Sequence, residues 1–316
     1  MIDRTIYYHI KPLIPRRLQI AVRQQVVLWK RRVHTERWPI DEHAKTPPRN
    51  WQGWPGGKQF AFVLTHDVDT MKGQDRCYDV MRLEEQLGFR SSFNFVPLRY
   101  RVCPELRACL TGGGFEVGVH GLYHDGKYYA SREVFRNRAI LINHYLREWG
   151  AVGFRSPSMQ RNLEWIHDLH IEYDASTFDT DPFEPQPDGA GTIFPFWVQQ
   201  DEKSQKGYTE LPYTLPQDFT LFVLMKERSI DIWKKKLDWI AEKGGMALLI
   251  THPDYMNCKN DTFETDGYPL SYFKKFLDYV KSRYEGCYWN ALPMEVSRFW
   301  KENMVTGSRT EQCSEQ

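Results

Sequence analysis

The chemistry-bearing residues of this chain gather where apolar runs stop. The first run, Phe60-Ala-Phe-Val-Leu-Thr, breaks without a turn residue into His66-Asp67-Val68-Asp69. Asp67 and Asp69 are two apart, so along a strand they face the same side. Two carboxylates held that close raise one another's pKa unless a cation neutralises one of them. His120-Gly-Leu-Tyr-His124 follows the run Phe115–Val119. Two His four apart share one face of a helical turn and can hold one metal ion. One carboxylate with two imidazoles, leaving a position open, is a usual catalytic set for zinc or a similar divalent cation. Arg155 follows Val152-Gly-Phe154, Asp174 follows Ile171-Glu-Tyr173, and His252 follows Met246–Thr251. Together these groups supply a base, an acid, a metal site and a positive orienter, which are the parts of metal-assisted hydrolysis.

Positioning them requires one sheet edge. From Lys58 onward strand and helix signals alternate. Gln74–Leu87 reads as a helix closed by Gly88, Ser91–Val96 as a strand, and Pro104 opens a short helix stopped at Gly112. Ser131 caps a long helix with the stripe Phe135, Ala139, Ile142, Leu146 and Trp149. Short strands are expected over Ala151–Phe154 and Ile171–Tyr173, with a helix starting at Asn162 between them. Pro182 to Gly207 is polar, rich in Pro and Gly, and too long for a plain connection. The strand Phe219–Leu224, a helix from Trp233 to Glu242, the strand Met246–Thr251 and helices over Ser271–Arg283 and Pro293–Trp300 complete the pattern. Repeated strand–helix units imply a parallel sheet with helices outside, closed or nearly closed into a barrel whose chemistry sits at the C-terminal strand ends.

The ordered set Thr65-His-Asp-Val-Asp69, His120-x-x-x-His124, Arg155-x-Pro157 and Ile250-Thr-His252 resembles the polysaccharide deacetylase family, the NodB-homology or carbohydrate esterase 4 group, over residues 58–255. The resemblance implies an α/β fold, a distorted (β/α)7-type barrel, and hydrolysis of the N-acetyl group of a sugar or glycan. It implies a divalent metal, most often Zn2+, held by Asp69, His120 and His124. Asp67 matches the family's general base, Arg155 the residue that orients it, and His252 the general acid; Pro157, of the same motif as Arg155, is expected beside the substrate. Two departures stand out. Val68 separates the two Asp residues, as in a variant subgroup, and the Arg motif runs on as Ser158-Met159 instead of an aromatic and Gly. The Asp that steadies the acid His is poorly marked: Asp174 is the choice, with Asp179 and Asp181 as rivals. Tyr213 and Trp197 border the long irregular segment and would form a wall for sugar rings, or simply pack the loop onto the barrel.

Length and composition fit this reading. The chain has 316 residues, 41% of them hydrophobic and 15% aromatic, with a formal net charge of +1 that argues against a nucleic-acid binder. Six Cys without a Cys-x-x-Cys pair point to reduced thiols in a cytoplasmic protein. Residues 1–50 form a distinct basic extension: up to Arg37 there are nine Lys/Arg against two acids. Ile14, Leu18, Val22, Val26, Trp29 and Val33 recur there at helical spacing. Such a helix can lie on an anionic membrane through residues 1–37, or pack its apolar face on its own domain. The barrel is expected over residues 51–300 and a frayed tail over 301–316. The function expected is N-deacetylation of a glycan, free or lipid-linked, in bacterial surface-polysaccharide synthesis at the inner membrane face. A deacylase of a small non-sugar amide and a catalytically silent glycan-binding protein are the alternatives.

Overall fold

The computed structural model describes residues 15–201 and 206–306. The opening apolar run forms strand β1, Phe60–Val68, and all of its residues are buried. Strands pair along both of its edges. One edge pairs in parallel with β2 (Ser91–Phe95) and, nearer its start, with β11 (Tyr288–Asn290); the other pairs with β8 (Met246–Thr251). From β2 the sheet continues in parallel through β3 (Glu116–Val119), β4 (Gly153–Phe154), β5 (Tyr173–Asp174) and β7 (Gly207–Glu210). The antiparallel β6 (Phe196–Gln199) ends it, so the long polar segment carries a strand of its own. Single bridges from Phe178 to Tyr213 and from Leu215 to Leu249 lead back to β8. Eight parallel strands thus curl into a half-barrel, the distorted (β/α) architecture expected. A two-residue pair, β9 (Met256–Asn257) with β10 (Tyr268–Pro269), stands apart.

Helices α2 (Cys77–Leu87), α3 (Pro104–Gly112), α4 (Arg132–Trp149), α5 (Asp231–Lys243), α6 (Leu270–Tyr284) and α7 (Pro293–Trp300) pack outside the sheet. In α4 the Ser131 hydroxyl accepts the Val134 N–H, and Phe135, Ala139, Ile142 and Leu146 are buried as their spacing predicts.

Three local expectations change. Phe219–Leu224 is a π-helical turn with all six residues buried, not a strand. A short apolar run buried on every side carries no period to distinguish the two, and the Asp218 carboxylate accepting the Phe219 N–H favours the helical start. The helix expected from Asn162 shrinks to a 3-10 turn, Trp165–Asp168. Asp174 lies within β5 instead of beyond its end.

The N-terminal helix α1 spans Arg16–Val33 and is tied to the main domain. Ile20 and Val27 are buried. Gln24 donates to the Val223 carbonyl at 2.9 Å, Lys30 to the Pro182 carbonyl at 2.7 Å, and Arg31 pairs with Glu227. The stripe Leu18, Val22, Val26, Trp29 and Val33 faces solvent, so the face that would pack a surface helix is not the one in use; Ile14 lies outside the described residues. Lys301–Thr306 extends α7 as a wide helical turn, and residues 307–316 of the expected tail also lie outside. Among the described residues no helix is long and apolar enough to cross a membrane.

Candidate catalytic metal site

β1 delivers both carboxylates to one place. Asp67 is its penultimate residue and Asp69 follows its end, so alternation turns both toward the barrel mouth while His66 turns away. The His66 ring lies in the layer behind, with Nδ1 at 2.7 Å from the Thr251 hydroxyl and Nε2 at 2.9 Å from Glu84. The Asp69 backbone N–H donates to Asp254 at 2.9 Å, which fixes the chain just past the strand.

His120 and His124 follow β3, but in a loop instead of the helical turn their spacing suggests. Gly121 has φ +63° and His124 φ +54°, both left-handed. At Gly121 a Cβ would come within 2.6 Å of the Pro157 ring and the Tyr128 hydroxyl, so glycine is required by conformation and by space. Pro157 is buried and contributes as this packing partner. The loop brings His120 Nε2 to 3.5 Å and His124 Nε2 to 3.3 Å from Asp69 Oδ1.

These three side chains suit a metal. Asp69 Oδ1 is buried and has no hydrogen-bond partner. Such an atom is costly to bury unless something positive meets it. His120 Nδ1 is 3.1 Å from the Arg155 carbonyl, which can only accept, so in the neutral ring Nε2 presents a lone pair to Asp69. Burial lowers His124 to about 4 against the pull of Asp69, leaving its ring neutral and able to ligate. One donor atom from each residue lies within 4.8 Å of the others. Ligands at about 2.0–2.2 Å from a tetrahedral ion stand about 3.3–3.6 Å apart, as the two Nε2–Oδ1 separations do.

Asp67 stands beside this set, its Oδ2 at 3.8 Å from His120 Nε2. Its Oδ1 accepts from Arg155 Nη1 and Asn94 Nδ2, both at 3.0 Å. Burial alone would raise its pKa, but Arg155, His120 and His252 outweigh that and hold the carboxyl below its usual range. Arg155 is itself buried, and it also donates to the Thr65 hydroxyl at 2.8 Å and the Ala175 carbonyl at 2.9 Å.

His252, just past β8, faces the same pocket, but its partner differs from the one expected. Nδ1 lies 2.7 Å from Asp218 Oδ1, and the His252 backbone N–H donates to Asp218 Oδ2 at 2.8 Å. Tyr268 donates to the same oxygen at 3.0 Å. Burial pushes His252 down, yet Asp218, with Asp69 and Asp67, carries it up to about 10. Asp174 accepts from the Ser176 hydroxyl at 2.7 Å and lies beside Glu210; burial raises both carboxyls, and Asp174 has no link to His252. The rivals fare no better: Asp179 pairs with Lys236, and Asp181 accepts from Tyr213.

The pocket joining these groups has a volume of about 340 Å3. Its aromatic walls are Phe183, Phe219 and Tyr255. Tyr213 is not among them; it is buried, donating to Asp181 and Glu184 at 3.0 and 2.8 Å. Trp197 lies on β6 against a separate hollow with Arg298 and Lys301. Both are removed from the pocket wall: Tyr213 turns inward to bond the start of the long segment, and Trp197 sits on the edge strand within it. The pocket also holds Arg23 and Lys30 of α1 and Glu184, which the motifs did not mark.

No protein-family model and no curated relative matches the chain by sequence. Solved structures do match. A protein from Mycobacterium smegmatis assigned as a polysaccharide deacetylase superposes with a TM-score of 0.62 at 17% identity, over 84% of this chain and 96% of its own. Puue allantoinase gives 0.62 at 15% identity, over 85% and 99%. A protein from Pseudomonas aeruginosa PAO1, also assigned as a polysaccharide deacetylase, gives 0.61 at 16%, over 85% and 99%. The chain therefore has the distorted (β/α) barrel fold that these polysaccharide deacetylases and the allantoinase share.

Proposed function

We propose that this protein is a metal-dependent hydrolase that removes the acetyl group from an N-acetylated sugar. One observation carries the reading: a buried Asp69 oxygen without a hydrogen bond stands between two imidazole nitrogens, in the pocket that holds the Asp67–Arg155 and His252–Asp218 pairs. Asp69, His120 and His124 would hold the cation. A divalent ion, Zn2+ by its preference for this donor set, would supply Lewis acidity toward the amide carbonyl and toward water.

The chain's own residues account for the proton movements. Asp67 is kept ionised by Arg155 and leaves Oδ2 free to take a proton from the attacking water. His252 has Nδ1 committed to Asp218, so Nε2 is the nitrogen left to donate to the departing amide nitrogen. The C–N bond breaks as the water oxygen joins the acyl carbon, giving acetate and a free amine, and the two residues exchange their proton states. A silent binding protein would have no use for this matched base and acid.

Asp67→Asn should abolish acetate release with the metal retained, and His120→Ala should release the metal. Metal analysis beside an acetate assay checks both, and loss of metal in Asp67→Asn would mean that the two Asp roles are exchanged. A second reading, hydrolysis of a small non-sugar amide, is favoured by the match to an allantoinase fold. Parallel assays on N-acetylhexosamine oligosaccharides and simple amides separate the two. A role in bacterial surface-polysaccharide synthesis, with α1 holding the protein at the cytoplasmic membrane face, belongs to the first reading. It is supported by the exposed apolar stripe of a basic helix. Co-sedimentation with anionic liposomes tests that placement.

A further inference from the structure

The helix α1 does more than decorate the barrel. Arg23, Lys30 and Phe183 line the catalytic pocket, and the same three line a second hollow of about 330 Å3 that runs along α1. The rest of that groove is mostly apolar, formed by Leu18, Val22, Val26 and Val27. Leu18, Val22 and Val26 are 54%, 57% and 48% exposed, although Ile20 and Val27 already anchor the helix. Among the described residues nothing covers this face, and its position makes it continuous with the site.

Chemical character changes in a fixed order along the joined surface. One end holds the Asp69–His120–His124 set and Asp67, while Glu184 stands by the cations of α1. At the junction stand two cations: the Arg23 guanidinium lies 4.9 Å over the Phe219 ring, and Lys30 is tied to the Pro182 carbonyl. Beyond them is the apolar track. A molecule complementary to this order has an acylated sugar, then an anionic linkage, then a hydrocarbon chain.

We infer that the groove along α1 is a subsite for the hydrocarbon chain of an amphiphilic substrate, whose N-acetylated sugar enters the pocket and whose anionic linker rests between Arg23 and Lys30. This rests on the deacetylase reading for the sugar end alone. The chain lies on Leu18, Val22 and Val26, and its burial there is the source of affinity.

The test compares free N-acetylhexosamine 1-phosphate, its hexadecyl phosphodiester, and the neutral hexadecyl glycoside, all with the full chain. The hexadecyl phosphodiester should exceed the chainless phosphate in kcat/KM by about 200-fold, the ratio expected from burying roughly four methylenes. Calorimetry on chelated protein should show the same ratio in affinity, with no turnover involved. The double variant Val22→Asp/Val26→Asp should bring both ratios below about 5. Arg23→Gln/Lys30→Gln should erase the advantage of the phosphodiester over the neutral glycoside. Equal handling of chain-bearing and chainless molecules overturns the inference, as does binding to plain phosphatidylglycerol vesicles without discrimination between the two. Chain-dependent binding without acetate release from any of the three would instead overturn the deacetylase reading and leave the subsite standing.

Discussion

Replacing Asp218 by Asn tests the acid arm of the site in a way that separates charge from shape. Asp218 opposes burial and, with Asp69 and Asp67, carries His252 up to about 10. At pH 8 a group of that pKa is almost wholly protonated, whereas a His at its ordinary value of about 6.5 is only about 3% so. Asp218→Asn should therefore lower kcat/KM about 30-fold at pH 8. At pH 6 the ordinary ring is still about three-quarters protonated, so the loss should be less than about twofold. Asn keeps one accepting oxygen and turns the other into a donor toward groups that now donate to Asp218. The lost hydrogen bonds cost roughly 1–3 kcal/mol of stability, and because the folded chain holds the His252 proton more tightly than the unfolded one, the total loss is larger at pH 6 than at pH 8, opposite to the loss of activity. The assay is the pH profile of kcat/KM for acetate release, read with the melting temperature at each pH. An equal loss at pH 6 and pH 8 would refute the reasoning and leave Asp218 as a packing residue. No loss at pH 8 would remove His252 as the acid.

Other consequences are as direct. Arg155→Met should destabilise the fold by about 3–5 kcal/mol, since it strips the buried Asp67 of its cation, and chemical denaturation reads this. Glu116 is buried and pushed up to about 7, with hydrogen bonds from Tyr173 and the Met294 N–H opposing. Between its ordinary value of about 4.5 and 7 the unfolded chain ionises first, so stability falls as pH rises; Glu116→Gln should gain up to about 3 kcal/mol at pH 8 relative to pH 5, and an equal effect at both would contradict this. Gly121→Ala should weaken metal affinity about tenfold or more, measured by competition with a chelator, because its Cβ meets Pro157 and Tyr128 and shifts the His120–His124 loop.

The residues that came to light in the sequence are those whose type conflicts with their surroundings. Two Asp ending an apolar strand, and a His ending another, have few reasons to be there except chemistry, and β1 and β8 do bring them together. The His pair was legible by spacing but not its conformation, since left-handed backbone at His124 leaves no mark in residue type. Asp218 is hidden by the run after it: as the residue before an apparent strand, it signals nothing. Read as a cap whose carboxylate accepts the next N–H, it marks the helical turn that sets it under His252. Asn94, a polar residue between Phe93 and Phe95 in a buried strand, was a signal that could have been used, because it is bonded to Asp67. Asp174 misled because strand-end carboxylates look alike in sequence. Its inward direction beside Glu210 follows from the pairing of β5 with β7, which sequence patterns do not specify. Tyr213 and Trp197 stand out in sequence only by their nearness to a long polar segment, and which side of such a segment packs inward is decided by tertiary contacts.

The most direct measurement is acetate release from an N-acetylhexosamine oligosaccharide by the 316-residue chain, taken as isolated, after chelation, and after a divalent metal is restored. The account predicts turnover that disappears with the chelator and returns with the metal, and no turnover at any stage in Asp69→Asn. Acetate release that survives chelation, or that persists in Asp69→Asn, would contradict it.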